Sequence, residues 1–143
     1  MDYIIAVLYL SVILLLIRLS WTDIRSRIIS NNIIIILFFI ILPLAWLTHG
    51  QIFIFSALMT LCAGFILFTL GVIGAGDVKL VSVLMLTISA EQIIPFFFFT
   101  SFAGLLLIII GWIFFRQSIR NNGLPYGVAI SIGFLTNLAL FNL

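Results

Sequence analysis

Long apolar runs, separated by short polar segments, dominate this chain. A helix needs about 20 apolar residues to cross a bilayer, and the polar punctuation cuts the chain into pieces near that length. The pattern predicts an all-α, polytopic membrane protein with six transmembrane helices: Tyr3–Leu19, Ile33–Leu47, Ile52–Ile73, Val78–Ser89, Ile93–Phe115 and Leu124–Phe141. The fourth is too short to cross alone. Gly74-Ala75-Gly76-Asp77, just ahead of it, is therefore expected at membrane depth or at its edge, where irregular backbone needs protein or water around it. The runs are continuously apolar and lack the alternation of lipid-facing and lumen-facing positions that a β-barrel requires. With no repeat and no hydrophilic linker, residues 1–143 read as a single membrane-embedded domain.

Composition agrees with the pattern. Charged residues make up 7% of the 143 positions, against about a quarter in soluble domains, too few to coat a water-soluble globule. The formal charge of +2 rests on six basic and four acidic groups, which is no nucleic-acid-binding stripe. The first apolar run follows the acidic start Met1-Asp2-Tyr3 and reads as a membrane helix rather than a signal peptide. Arg18, Arg25, Arg27, Lys79, Arg116 and Arg120 all lie on or beside odd-numbered connections, whereas His49-Gly50-Gln51 and Ala90-Glu91-Gln92 on the even ones carry no lysine or arginine. The positive-inside rule then makes the odd connections cytoplasmic and puts both termini outside. Trp21, Trp46 and Trp112 fall near span ends, as interfacial anchors do.

Two carboxylates stand out. Asp2 and Glu91 fall at outer ends where water solvates them, which leaves Asp23 and Asp77 on the cytoplasmic side. Asp77 closes a glycine-rich tetrapeptide before a short helix, where Gly74 and Gly76 let the backbone bend and another chain approach. Its bland alternative is an N-cap, accepting hydrogen bonds from the first free amides. Asp23 sits in the longest polar stretch, residues 21–32, where its bland alternative is a solvated aspartate offsetting Arg25 and Arg27. Asn31 and Asn32 are expected to cap the second helix. Gly64 with Gly71, and Gly104 with Gly111, are spaced by seven and suit helix packing faces.

Two carboxylates held together beside an apolar wall cannot both ionise easily, so one keeps its proton while the other acts as base. Such a pair activates water against a peptide carbonyl and needs no metal and no cofactor. Other nucleophilic schemes have little material. The single cysteine, Cys62, lies in an apolar run, and the single histidine, His49, lies on the side opposite both aspartates.

In order along the chain, Asp23-Ile24-Arg25 with Ile29-Ser30-Asn31, then Gly74-Ala75-Gly76-Asp77-Val78-Lys79-Leu80, then Leu124-Pro125-Tyr126-Gly127 together resemble the type IV prepilin peptidases. The resemblance is to the short single-domain members like those of tight-adherence and Flp pilus systems. It implies an aspartic endopeptidase of a prokaryotic cytoplasmic (inner) membrane, with Asp23 and Asp77 catalytic and Gly74, Gly76, Lys79, Pro125, Tyr126 and Gly127 shaping the site. Its partners would be pilin-like precursors, each a short basic leader followed by an apolar helix, and the lipid bilayer. Lys79 would tune Asp77 or bind a substrate carbonyl; its alternative is a lysine snorkelling to the interface. Arg25 and Arg27 are expected on anionic lipid head groups. Pro125 suits the first turn of the last helix, and Gly123 and Gly127 permit close approach there.

The chain departs from many members at Ser30-Asn31, where proline precedes asparagine, and at Pro125-Tyr126-Gly127, where larger relatives have phenylalanine and a second proline. The two cysteine pairs of the larger bifunctional enzymes have no counterpart, so methylation of the product is not expected from these residues. A small proton- or ion-coupled transporter or channel subunit is the alternative reading, with the aspartates and Lys79 lining a path. A non-catalytic scaffold would leave the Gly-Ala-Gly-Asp block without a purpose.

Overall fold

A computed structural model describes residues 2–26, 29–71, 73–117, 120 and 125–141. Arg27, Gly123 and Leu124, three positions weighed above, lie outside the described residues. Six helices of more than ten residues occur among them: α1 (Asp2–Ser26), α2 (Asn31–His49), α3 (Ile54–Thr69), α4 (Ala75–Met85), α5 (Ile93–Phe114) and α6 (Tyr126–Phe141), with a single 3-10 turn at Ala90–Gln92. The described residues contain no strand.

The segments 3–26, 31–49 and 90–114 are long and apolar enough to cross a membrane, and α3 and α6 are shorter apolar helices. Eleven residues make α4 about 16 Å long, roughly half of the hydrocarbon thickness. Several expected boundaries move, and α4 covers Ala75–Met85 instead of Val78–Ser89, so that Ala75-Gly76-Asp77 is the first turn of a helix rather than irregular backbone. Ser20–Ser26 contains neither glycine nor proline, so α1 continues through it and carries Asp23 on helix rather than in a loop. At the other end of the third apolar run, α3 stops at Thr69 and the chain turns at Gly71 with φ +79°. Gly71 is thus a turn residue and does not share a packing face with Gly64.

α1 packs against α2 and α6, α6 also against α5 and α4, and α4 against α2 and α3. Their meeting faces bury Val12, Leu16 and Leu19 with Leu37, Ile41, Leu44, Leu80, Leu84 and Phe134. Phe96 of α5 meets Phe134 edge-on at 6.4 Å, a geometry that places ring edge against ring face. The outer faces carry exposed Phe39, Phe55, Phe65, Ile94, Phe98 and Phe114, the arrangement expected when the surroundings are themselves apolar.

Close helix approach falls on glycines. A methyl group at Gly64 would lie 2.6 Å from Val78 Cγ1, and one at Gly133 would lie 2.8 Å from the Thr100 backbone, whereas Gly104 has room, with Ala129 Cβ 3.9 Å away. Polar contacts then pin the two ends of the bundle. The Phe53 amide donates to Leu86 O at 3.0 Å, and Asn137 Nδ2 donates to Gln92 O at 3.2 Å, at one end. At the other, the end of α1 meets the start of α6 and the start of α4 meets that of α2. Asp23, Asp77 and Lys79 share this second end.

Candidate active site

Asp23 lies on the last turns of α1 and is only 4% exposed. Its Oδ2 accepts a hydrogen bond from the backbone amide of Gly127 at 2.7 Å, across α1 and α6. A carboxylate held by a buried amide at that distance is fixed in place. The solvated alternative for Asp23 is corrected: it is buried in the bundle, and Arg25, two residues further on the same helix, is exposed, while Arg27 lies outside the described residues.

Asp77 is the third residue of α4, whose N-cap position is taken by Gly74. Its carboxylate accepts from the Gly74 backbone amide, the reach-back half of a capping box. Asp77 thus secures the helix start from inside, while Gly74 holds the cap position itself. The side chain is half-buried, and the negative charge of Asp23 acts on it. The two carboxylates come from separate helices and lie at the same end of the bundle, within electrostatic reach of each other.

A groove of about 940 Å³ runs between α3 and α5, with α4 and α6 as its floor. Met59, Leu67, Phe97, Leu105 and Ile130 line its length; Asp77 stands at one end beside Ile73 and Tyr126. Asp77 is the acidic side chain on this wall. Pro125 is buried directly before α6 and its carbonyl accepts from the Val128 amide at 3.1 Å, as a residue that opens a helix does.

Residues 10–109 match the model of the type IV leader peptidase family. The chain belongs to that family. It is accordingly a protease of the leader-peptidase type, and both aspartates lie within the matched stretch, whereas Pro125-Tyr126-Gly127 lies beyond it. No curated protein and no solved structure matches the chain.

In this candidate site the glycines play unequal parts. Gly74 has φ −85° and ψ 158°, extended backbone open to any residue, and a methyl there meets only Asp77 Oδ2 at 3.5 Å. The bend expected of Gly74 does not require glycine. Gly76 sits against Ile29, whose Cβ would lie 3.1 Å from an added methyl, and Gly127 would press Ile29 Cδ1 at 3.1 Å and Asp23 Oδ2 at 2.7 Å. Ile29 therefore wedges between the starts of α4 and α6 beside the Asp23 carboxylate. Its signal in the sequence was an apolar residue inside the longest polar stretch. Gly74→Ala should fold and cleave near the parental level, whereas Gly76→Ala should lower both as Ile29 shifts, at about 1–3 kcal/mol of strain. Thermal melting and leader removal per mole of inserted protein check the pair.

Lys79 does not join the aspartates. Two residues advance about 200° around a helix, so it leaves the Asp77 face, and its Nζ donates to Asn31 Oδ1 at 3.2 Å. Ser30, with no side-chain cap bond, holds the N-cap position of α2 expected for Asn31. No group of three His, Cys, Asp or Glu side chains suited to a metal occurs among the described residues. His49 lies at the far end of the bundle, ring to ring with Phe53.

Proposed function

We propose that the chain is an aspartic endopeptidase that removes the short basic leader from pilin-like precursors at the cytoplasmic face of a prokaryotic inner membrane. The observation that carries this reading is that Asp23 and Asp77, from two separate helices, share one end of the bundle, with Asp77 at the end of a long apolar groove. The precursor's apolar helix lies along the groove between α3 and α5 with its scissile peptide at Asp77, and its leader stays in the cytoplasm. One carboxylate takes a proton from a water molecule as that water attacks the peptide carbonyl. The other, protonated, donates to the carbonyl oxygen. Collapse of the tetrahedral diol breaks the C–N bond as a proton passes to the leaving nitrogen. Leader and mature pilin then separate, and the pair regains its single proton.

The Gly127 amide supports this chemistry by holding the Asp23 carboxylate in place. A transporter path would require polar groups at several depths, and here both aspartates and Lys79 gather at one end. The test is co-expression with a candidate precursor carrying a photo-crosslinker in its apolar helix. Loss of the leader by mass, with crosslinks to Phe97 or Leu105, is expected; an intact precursor across a panel of pilin-like substrates overturns the reading.

Orientation gives a separate prediction. In a Cys62→Ser background, cysteines replacing Arg25, Lys79 or Arg120 should react with an impermeant thiol reagent from the cytoplasm, and those replacing His49 or Glu91 from outside. Labelling that puts Arg25 and Lys79 on opposite faces would rule out a shared site.

A further inference from the structure

The bundle has a second apolar groove, and its polar end has the opposite charge. It runs between α2 and α3 over α4, holds about 590 Å³, and is lined by Ile34, Phe38, Leu42, Leu58 and Val83 with Lys79 at one end. Among the described residues no acidic side chain lines it. From Ile34 to Leu42 the wall extends about 12 Å, enough for much of one acyl chain. The Lys79 ammonium, bonded to Asn31, stands at the end where α2 begins, and Ser30, the N-cap residue of α2, makes no side-chain cap bond. Lysine and helix start both favour an anion there.

We infer that this groove binds an anionic phospholipid, with one acyl chain between α2 and α3 and the phosphate on Lys79. Charge decides the occupant. A precursor helix with a basic leader would bring its positive end to the ammonium, whereas it meets Asp77 in the other groove. Asp77 and Lys79, two positions apart on α4, thus send opposite charges to grooves on either side of α3. The site depends on the chain lying in a bilayer and not on its catalytic activity, so its test is separable from that of the proteolysis.

The experiment places the full chain in phosphatidylcholine vesicles containing a phosphatidylglycerol with a diazirine in its acyl chain, and maps labelled peptides by mass spectrometry. Labelling should concentrate on residues 34–42 and 54–61 and exceed that by a diazirine phosphatidylcholine. Lys79→Gln should lower it about fivefold, the effect of one basic residue at an anionic surface. Lys79→Arg should retain it, as should Arg25→Gln, which removes a charge outside the groove. Leu58→Trp, which fills the groove and keeps the lysine, should lower it too. Equal labelling by the two lipids, undiminished labelling in both Lys79→Gln and Leu58→Trp, displacement by inorganic phosphate, or a precursor crosslinked in this groove would each overturn the inference.

Discussion

Asparagine in place of Asp23 or Asp77 is expected to abolish leader removal while the protein remains inserted. An amide has nearly the shape of a carboxyl group but can neither take the proton from water nor return it to the leaving nitrogen. Positioned proton transfer contributes on the order of 10²–10⁴-fold, and each single variant should lose at least that much. The two sites differ in their structural cost. Asp23 is buried on the Gly127 amide, and asparagine can still offer its oxygen to that amide, so folding should change little. Asp77 also secures the start of α4 through the Gly74 amide, a bond the asparagine oxygen can likewise accept. Cys62, exposed on α3, serves as the control: Cys62→Ser should process precursor at the parental rate. The check is product mass per mole of membrane-inserted protein for all three variants.

The second large effect is expected from Gly127→Ala. A methyl group there would lie 2.7 Å from Asp23 Oδ2, on the oxygen held by the Gly127 amide, and 3.1 Å from Ile29 Cδ1. The carboxylate or the first turn of α6 must move. A shift of about 1 Å at a reacting group costs on the order of 10²-fold in rate, whereas overpacking costs about 1–3 kcal/mol of stability. Activity should therefore fall by about 10²-fold while most of the protein still inserts. Gly104→Ala, with 3.9 Å of clearance, should leave both unchanged. Leader removal and thermal melting, measured side by side, separate the two effects.

The apolar blocks of the sequence located the helices well because a span announces itself by length, and the Gly74–Asp77 block and the polar stretch around Asp23 pointed to the carboxylates. What the blocks do not carry is direction. Helices apolar all round, such as α5 with its run Phe96–Phe99, give no periodic face from which neighbours can be read. The contact of Asp23 with Gly127 joins positions 104 apart, and nothing local at either residue announces it. Helical phase was the missing information at Lys79: nearness to Asp77 in sequence suggested a shared site, but two positions on a helix separate their faces. Gly74 misled for a related reason, since a glycine before a helix reads as a bend and here adopts backbone that any residue allows. The glycine that matters for the close approach of α5 and α6, Gly133, drew no notice because the pattern of sevens did not include it.

Joint action of Asp23 and Asp77 is tested most directly by comparing the double variant Asp23→Asn/Asp77→Asn with its two single parents, as the rate of leader removal by purified protein in a bilayer. Residues that act as one unit are non-additive, because losing either disables the other. Single and double variants should all fall to the same floor. A double variant slower than both by the product of their separate losses, or a single variant that retains parental turnover, would contradict a shared two-aspartate site.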